Sequence, residues 1–348
     1  MKKLFLILFL SVLPGLSHAD VLAAIELGSK GIKAIAIDYN GRAVTGEQTY
    51  KVLLREDIKA DLIGGASDGF LSEKKIADAA TAVATLFARL KSLDPQYFTI
   101  VGSTSIVKYN NFEVLNNAIA DKVKLKNDAI KYITSDEEIF YALKASVRNK
   151  YLPKSILIDI GSGNTKIGYY SPMSPNGFES TMIDYGTKKL ADKAIAAGGD
   201  YKSALKKIVQ DEVSPTLSKA IQSQPGIASR QRKIYIEGGA SWAVATYAHP
   251  ELIEKPFTYL TLAEVEAVGN RFDREDLAIQ AKTEAAEAAF LKIGDNFDPK
   301  QLQAGSTILR TILREIGAGQ RTIVFNREGG WILGYIITEY NRKNNVDE

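Results

Sequence analysis

Two short segments of this chain carry the residue types that phosphate chemistry needs. In "ILIDIGSGNTKIGYY", Ile156 to Tyr170, Asp159 lies near the end of a strand-like run, and Gly161, Ser162, Gly163 and Asn164 turn the chain into a second strand opened by Thr165 and Lys166. Earlier, "AAIELGSKGIKAIAIDYNGR", Ala23 to Arg42, makes nearly the same passage with Glu26, Gly28, Ser29 and Lys30. Such turns expose backbone N–H groups, and glycine lets an anion approach without meeting a Cβ. Lysines serve phosphate as point charges. The plainer alternatives are turn-capping acids, ordinary tight turns and solvated lysines at strand ends.

The rest of the composition narrows the chemistry. Cysteine is absent, which excludes disulfides, thiolate catalysis and cysteine-ligated metal. Of two histidines, His18 lies in an apolar N-terminal segment, so His249 alone remains and a multi-histidine metal site is excluded. His249 follows a helical "WAVATYA" run and reads as a helix-end cation. Catalysis is left to carboxylates, hydroxyls, lysines, backbone amides or a hard cation held by oxygen. Trp242 and Trp331 read as core residues.

The elements that must position these residues follow from patterning. Residues 1–19 combine a basic start, an apolar run and "SHA", which predicts a cleaved secretory signal and a periplasmic or secreted protein without a stable membrane span. Without Lys2 and Lys3 the 44 basic residues fall to 42 against 41 acids, so no basic field draws the chain onto a nucleic acid duplex. Val21 to Leu27 and Ile32 to Asp38 read as paired strands, Leu71 to Leu90 as a helix capped by Ser72, and "SDEEIFYALKASV" as a helix capped by Ser135. Further on, Lys188 to Ala197, Tyr201 to Gln222, Leu262 to Phe272 and Asp276 to Leu291 have helical character. "NKYLPK", Asn149 to Lys154, is a hinge candidate, and "RQRK", Arg230 to Lys233, reads as a solvated loop. Alternating strands and helices predict an α/β architecture of two domains, 20–150 and 151–348, each opening with strand, glycine turn, strand, the turns facing across a cleft.

In order along the chain, "AAIELGSKGIKAIAID", "FTIVGSTS", "YITSDEEIFYAL", "ILIDIGSGNTKIGYY", "IYIEGGASWAVA" and "LQAGSTILRTILREIGAGQRTIVFNREGGWILGY" resemble the exopolyphosphatase and guanosine pentaphosphate phosphohydrolase (Ppx/GppA) family. That family belongs to the actin, sugar-kinase and heat-shock ATPase superfamily, whose domains are ribonuclease-H-like. The resemblance implies water attack on a phosphoanhydride at the interdomain cleft, with Glu138 as the catalytic carboxylate. It implies phosphate cradles at Gly28, Ser29, Lys30, Gly161, Ser162, Gly163, Asn164, Thr165 and Lys166, with Gly239, Ala240 and Ser241 as a later turn. Glu26 and Asp159 stand where the family places acids near the phosphate or its Mg2+.

The departures are as informative. Glu26 replaces an aspartate, Gly28-Ser29-Lys30-Gly31 replaces Gly-Ser-Asn-Ser, Val107 replaces an arginine, and Lys166 replaces a glutamate. Lys30 and Lys166 therefore read as a pair of added cations that either replace the metal's charge or mark lost turnover. The leading expectation is an exported hydrolase of polyphosphate, ahead of guanosine pentaphosphate. The alternative is a non-catalytic polyphosphate or nucleotide binder, and a homodimer is compatible with either. An actin-like filament ATPase is disfavoured by export, since the outside of a cell offers little ATP.

Overall fold

The computed structural model describes residues 19–42, 48–63, 66–126, 129–229, 232–278 and 281–345. Residues 1–18 of the expected signal, and Arg230 with Gln231, lie outside the described residues. Strands β1 (Asp20–Leu27), β2 (Gly31–Arg42), β3 (Gln48–Lys59), β4 (Tyr97–Ser103) and β5 (Ile130–Ile133) form one sheet, ordered β3-β2-β1-β4-β5. Strands β6 (Ser155–Ile160), β7 (Thr165–Tyr170), β8 (Phe178–Ile183), β9 (Lys233–Glu237), β10 (Phe257–Leu260) and β11 (Ile323–Asn326) form the second, ordered β10-β11-β9-β6-β7-β8. In each sheet three consecutive antiparallel strands are extended by parallel partners, so β1 to β5 match β6, β7, β8, β9 and β11, and β10 is an added antiparallel edge. This is the doubled ribonuclease-H-like α/β architecture.

The helices are α1 (Glu73–Lys91), α2 (Thr104–Val107), α3 (Phe112–Val123), α4 (Ser135–Ser146), α5 (Thr187–Ala196), α6 (Tyr201–Ile208), α7 (Ser214–Ser223), α8 (Gly239–Ala248), α9 (Leu262–Asp273), α10 (Glu284–Asn296), α11 (Pro299–Glu315) and α12 (Trp331–Lys343). The run expected to be one helix from Tyr201 is interrupted by a π turn, Val209–Val213. Pro215 has no amide to give the carbonyl four residues back, which loosens the α-helical ladder there. Among the described residues no helix is long and apolar enough to cross a membrane.

Period-two alternation decides what each sheet face buries. Ala23, Ile25 and Leu27 of β1 pack with Ile76, Val83 and Leu86 of α1, while Leu22 and Ala24 face Leu333, Ile336 and Ile337 of α12. In the second sheet Ile156, Ile158 and Ile160 join the large core with α5, α8 and α11, and Leu157 faces Ile139, Ala142 and Leu143 of α4. Each fully buried Ile or Leu contributes about 1.5–3 kcal/mol. The two inner helices are thus exchanged: α4, which follows the first sheet in the chain, covers the second, and α12, at the far end, covers the first. They cross at Gly334, where a Cβ would stand 2.0 Å from the Tyr141 carbonyl oxygen. Trp331 packs between the two inner clusters, and Trp242 lies against the large core. The exchange carries Glu138, near the start of α4, onto the second sheet.

Candidate active site

Each glycine turn is built by its own hairpin. The Gly28 amide donates to the Gly31 carbonyl at 3.1 Å, and the Gly161 amide donates to Asn164 at 2.9 Å, so both close the turn instead of facing a ligand. The turn carbonyls are tied back. Ser29 accepts from Ile63, Gly161 from Thr187, and Ser162 from Lys188 and Lys189 at the start of α5. A planar trans peptide points its N–H opposite its C=O. The amides of Lys30, Ser162 and Gly163 therefore point away from that backing, and among the described residues none of them has an acceptor. The turns meet: the Ser29 and Ser162 hydroxyls are 3.0 Å apart.

Behind each turn an acid faces a lysine across the hairpin. Glu26 is the register partner of Lys33, and Lys33 Nζ donates to Glu26 Oε1 at 2.7 Å. Asp159 is the register partner of Lys166, whose Nζ donates to Asp159 Oδ2 at 3.3 Å and to Glu138 Oε2. Burial opposes the Lys166 ammonium, but Asp159 and Glu138 outweigh it and push its pKa above the ordinary lysine value. The same opposition, with Glu26 as main partner, raises that of Lys33. Exposure separates the two: the Lys33 side chain is 56% exposed and that of Lys166 only 8%.

Glu138 is buried, and its Oε1 has no partner among the described residues. The true cap of α4 is Thr134 in a capping box with Glu137, not Ser135, which leaves the Glu138 side chain free to turn inward. A further acid, Glu237, ends β9 in register with Asp159 and is also buried, with Oε1 unpartnered. Burial, then the nearby Asp159 charge, holds the Glu237 pKa well above the usual carboxylate range, and Arg55, the Gly330 amide and Lys33 only partly offset this. The chain passes Asp159 at Gly238 with φ +89°, where a Cβ would lie 2.1 Å from the Ile160 carbonyl oxygen. From β3, Arg55 donates to the carbonyls of Arg327 and Glu328 at 2.8 and 2.6 Å, Lys59 donates to the Asp295 carbonyl, and Asp57 pairs with Lys292.

The remaining expected site residues lie further out. Lys30 reaches across to Gln301 Oε1 at 3.1 Å and over the Phe297 ring, and burial followed by Lys188 lowers its pKa. The cation that matches Lys166 is thus Lys33, not Lys30. Thr165 is buried and bonds the Tyr185 carbonyl, and the Asn164 side chain turns to Met182. Gly239 packs on Phe297, while Ala240 and Ser241 are buried in the first turn of α8. His249 caps the end of α8 between Glu251 and Glu264. Arg232 is not a solvated loop residue, because it lies over Tyr169 and bonds the carbonyls of Pro153, Ser155 and Tyr170.

Lys33, Glu237 and Arg55 escaped the sequence reading. One signal was present: Glu26 and Asp159 are each followed seven residues later by a lysine, through Gly-Ser. Magnesium prefers several oxygen ligands in octahedral array. Glu26 and Asp159 each already accept from a lysine, and among the described residues no three acids or histidines are grouped to hold a metal ion. This donor set does not fit a divalent cation.

No known sequence family matches the chain, and no curated protein matches it significantly. Solved structures do. An exopolyphosphatase-like protein is similar at TM-score 0.71 and 14% identity, over 93% of this chain and 99% of that one. The Ppx/GppA family member of Aquifex aeolicus is similar at TM-score 0.67 and 15% identity, over 93% and 99%. An exopolyphosphatase from Cytophaga hutchinsonii is similar at TM-score 0.64 and 15% identity, over 94% and 99%. The chain therefore has the two-domain fold of the Ppx/GppA structures.

Proposed function

We propose that this protein is an exported phosphoanhydride hydrolase of the Ppx/GppA type, acting on polyphosphate ahead of guanosine pentaphosphate where the two glycine turns meet. The observation that carries this reading is Glu138, a buried carboxylate with Oε2 on Lys166 and Oε1 unclaimed, set beside two turns that meet at their serine hydroxyls and leave the amides of Lys30, Ser162 and Gly163 without an acceptor among the described residues. A terminal phosphoryl group seated there accepts from the amides of Lys30, Ser162 and Gly163 and from the serine hydroxyls. Such donors stabilise the charge on the equatorial oxygens in transfer. Glu138 Oε1 orients a water for attack on phosphorus. The new P–O bond forms as the bond to the leaving phosphate breaks, and the water's proton passes to the carboxylate. A loose transition state asks for positioning more than for base strength, so a lysine-paired carboxylate suffices. The likeness in fold to exopolyphosphatases supports this reading, and the apolar N-terminal segment supports export.

Mature protein incubated with sodium polyphosphate is expected to release phosphate, and Glu138→Gln to slow release by about 10²–10⁴-fold without loss of binding. One observation favours a second reading, a polyphosphate-binding protein without turnover: Lys166 occupies one oxygen of both Glu138 and Asp159 and so ties up the acids that would act on water. Thermal stabilisation by polyphosphate with no phosphate released would select it.

A further inference from the structure

Phosphate chains ordinarily meet proteins with part of their charge neutralised by magnesium, shared between phosphate oxygens and protein carboxylates. In this chain one oxygen of each of Glu138, Asp159 and Glu26 is held by an ammonium group. Lys166 stands between Glu138 and Asp159, and Lys33 stands on Glu26, at equivalent places in the two hairpins. A cation at magnesium's short bonding distance to Asp159 Oδ2 or Glu138 Oε2 would have to displace the Lys166 ammonium. Two ammonium groups together bring the charge of one divalent ion.

We propose that Lys33 and Lys166 replace the divalent cation, so that the site takes up a metal-free phosphate chain. This rests on the phosphoanhydride reading of the same site. The two lysines divide the work. Lys166, buried and bonded twice, fixes the acids and leaves one N–H to spare. Lys33, exposed over half its side chain and bonded once to Glu26, keeps two N–H donors for ligand oxygens. Lys33 is therefore the binding cation, and Lys166 the one that keeps metal out.

Isothermal titration with sodium polyphosphate, on wild-type protein in EDTA and again with magnesium chloride, tests this. Undiminished affinity in EDTA, with magnesium weakening binding or leaving it unchanged, is the expected result. Lys33→Gln should then weaken binding about tenfold or more in both buffers. Lys166→Glu should lose binding in EDTA and regain it with magnesium, because it returns a carboxylate to the place of an ammonium. Wild-type binding that requires magnesium overturns the metal-free site while leaving the phosphohydrolase reading intact. An absence of polyphosphate binding in both buffers overturns both. If Lys166→Glu does not fold by circular dichroism, the wild-type and Lys33→Gln titrations decide alone.

Discussion

The hairpins of β1–β2 and β6–β7 carry the same residues in the same order, acid, Gly-Ser, then lysine seven places after the acid, yet they live in different surroundings. In the first, Lys33 lies open beside Glu26. In the second, Lys166 is sealed under α4, where Glu138 joins Asp159 upon it. The difference comes from the exchanged inner helices. Helix α4 delivers Glu138 to the second hairpin, whereas α12 presents Leu333, Ile336 and Ile337 to the first sheet and its buried acid, Glu339, pairs with Arg342 near Tyr97 of β4. The second hairpin is therefore a preformed core element in which one ammonium holds two carboxylates, and the first a one-to-one pair whose lysine is half exposed. Repetition of a motif does not fix the role of its residues; what packs over it does.

The largest break in this comparison comes from removing each lysine in turn. Lys166→Met leaves two carboxylates buried without their cation and is expected to cost about 3–5 kcal/mol in urea unfolding. Lys33→Met removes a half-exposed cation but leaves the buried Glu26 carboxylate without it, and should cost less, about 1–3 kcal/mol. Equal losses would mean that the two hairpins are energetically alike. A smaller test concerns the acids on the second sheet. The Glu237 pKa is raised, so the folded state holds its proton more tightly than the unfolded chain does. Its favourable contribution is fully present below the unfolded carboxylate pKa and is lost as pH rises through the folded value. Glu237→Gln should accordingly raise the melting temperature at neutral pH, with the gain vanishing in acid below the ordinary carboxylate range. A gain that persists in acid would point to packing instead of charge. The smallest effect is expected at the join, where Ser29→Ala and Ser162→Ala should each cost about 1 kcal/mol or less, and the double variant no more than their sum if the hydrogen bond is shared.

Much of this was legible in the chain. Alternation marked β1 and β6, glycine and serine marked both turns, and the helical period marked α1. Glu138 is singled out only by the family resemblance, because α4 opens with three acids, Asp136, Glu137 and Glu138, and local pattern does not choose among them. Lys33 was hidden by Lys30, which sits inside the turn and looks nearer to a ligand. The hairpin register, not nearness to glycine, brings a lysine opposite the acid, and the bond from Gly28 to Gly31 sets that register. Glu237 and Arg55 gave less warning. Glu237 borders Asp159 only through parallel pairing of β9 with β6, seventy-eight places apart in numbering, and Arg55 matters only because β3 reaches loop carbonyls at 327 and 328.

By itself the sequence determined the repeated strand-turn-strand units, the absence of thiol chemistry and the cations and acids available, since these depend on local pattern and residue type. Only the tertiary structure decided that α4 and α12 trade sheets, that Lys166 is sealed while Lys33 is half exposed, and that these lysines stand upon Glu26, Asp159 and Glu138. Those outcomes turn on which distant surfaces exclude water from a given charge. Burial of this kind is a property of packed neighbours, and no short window of residues contains it.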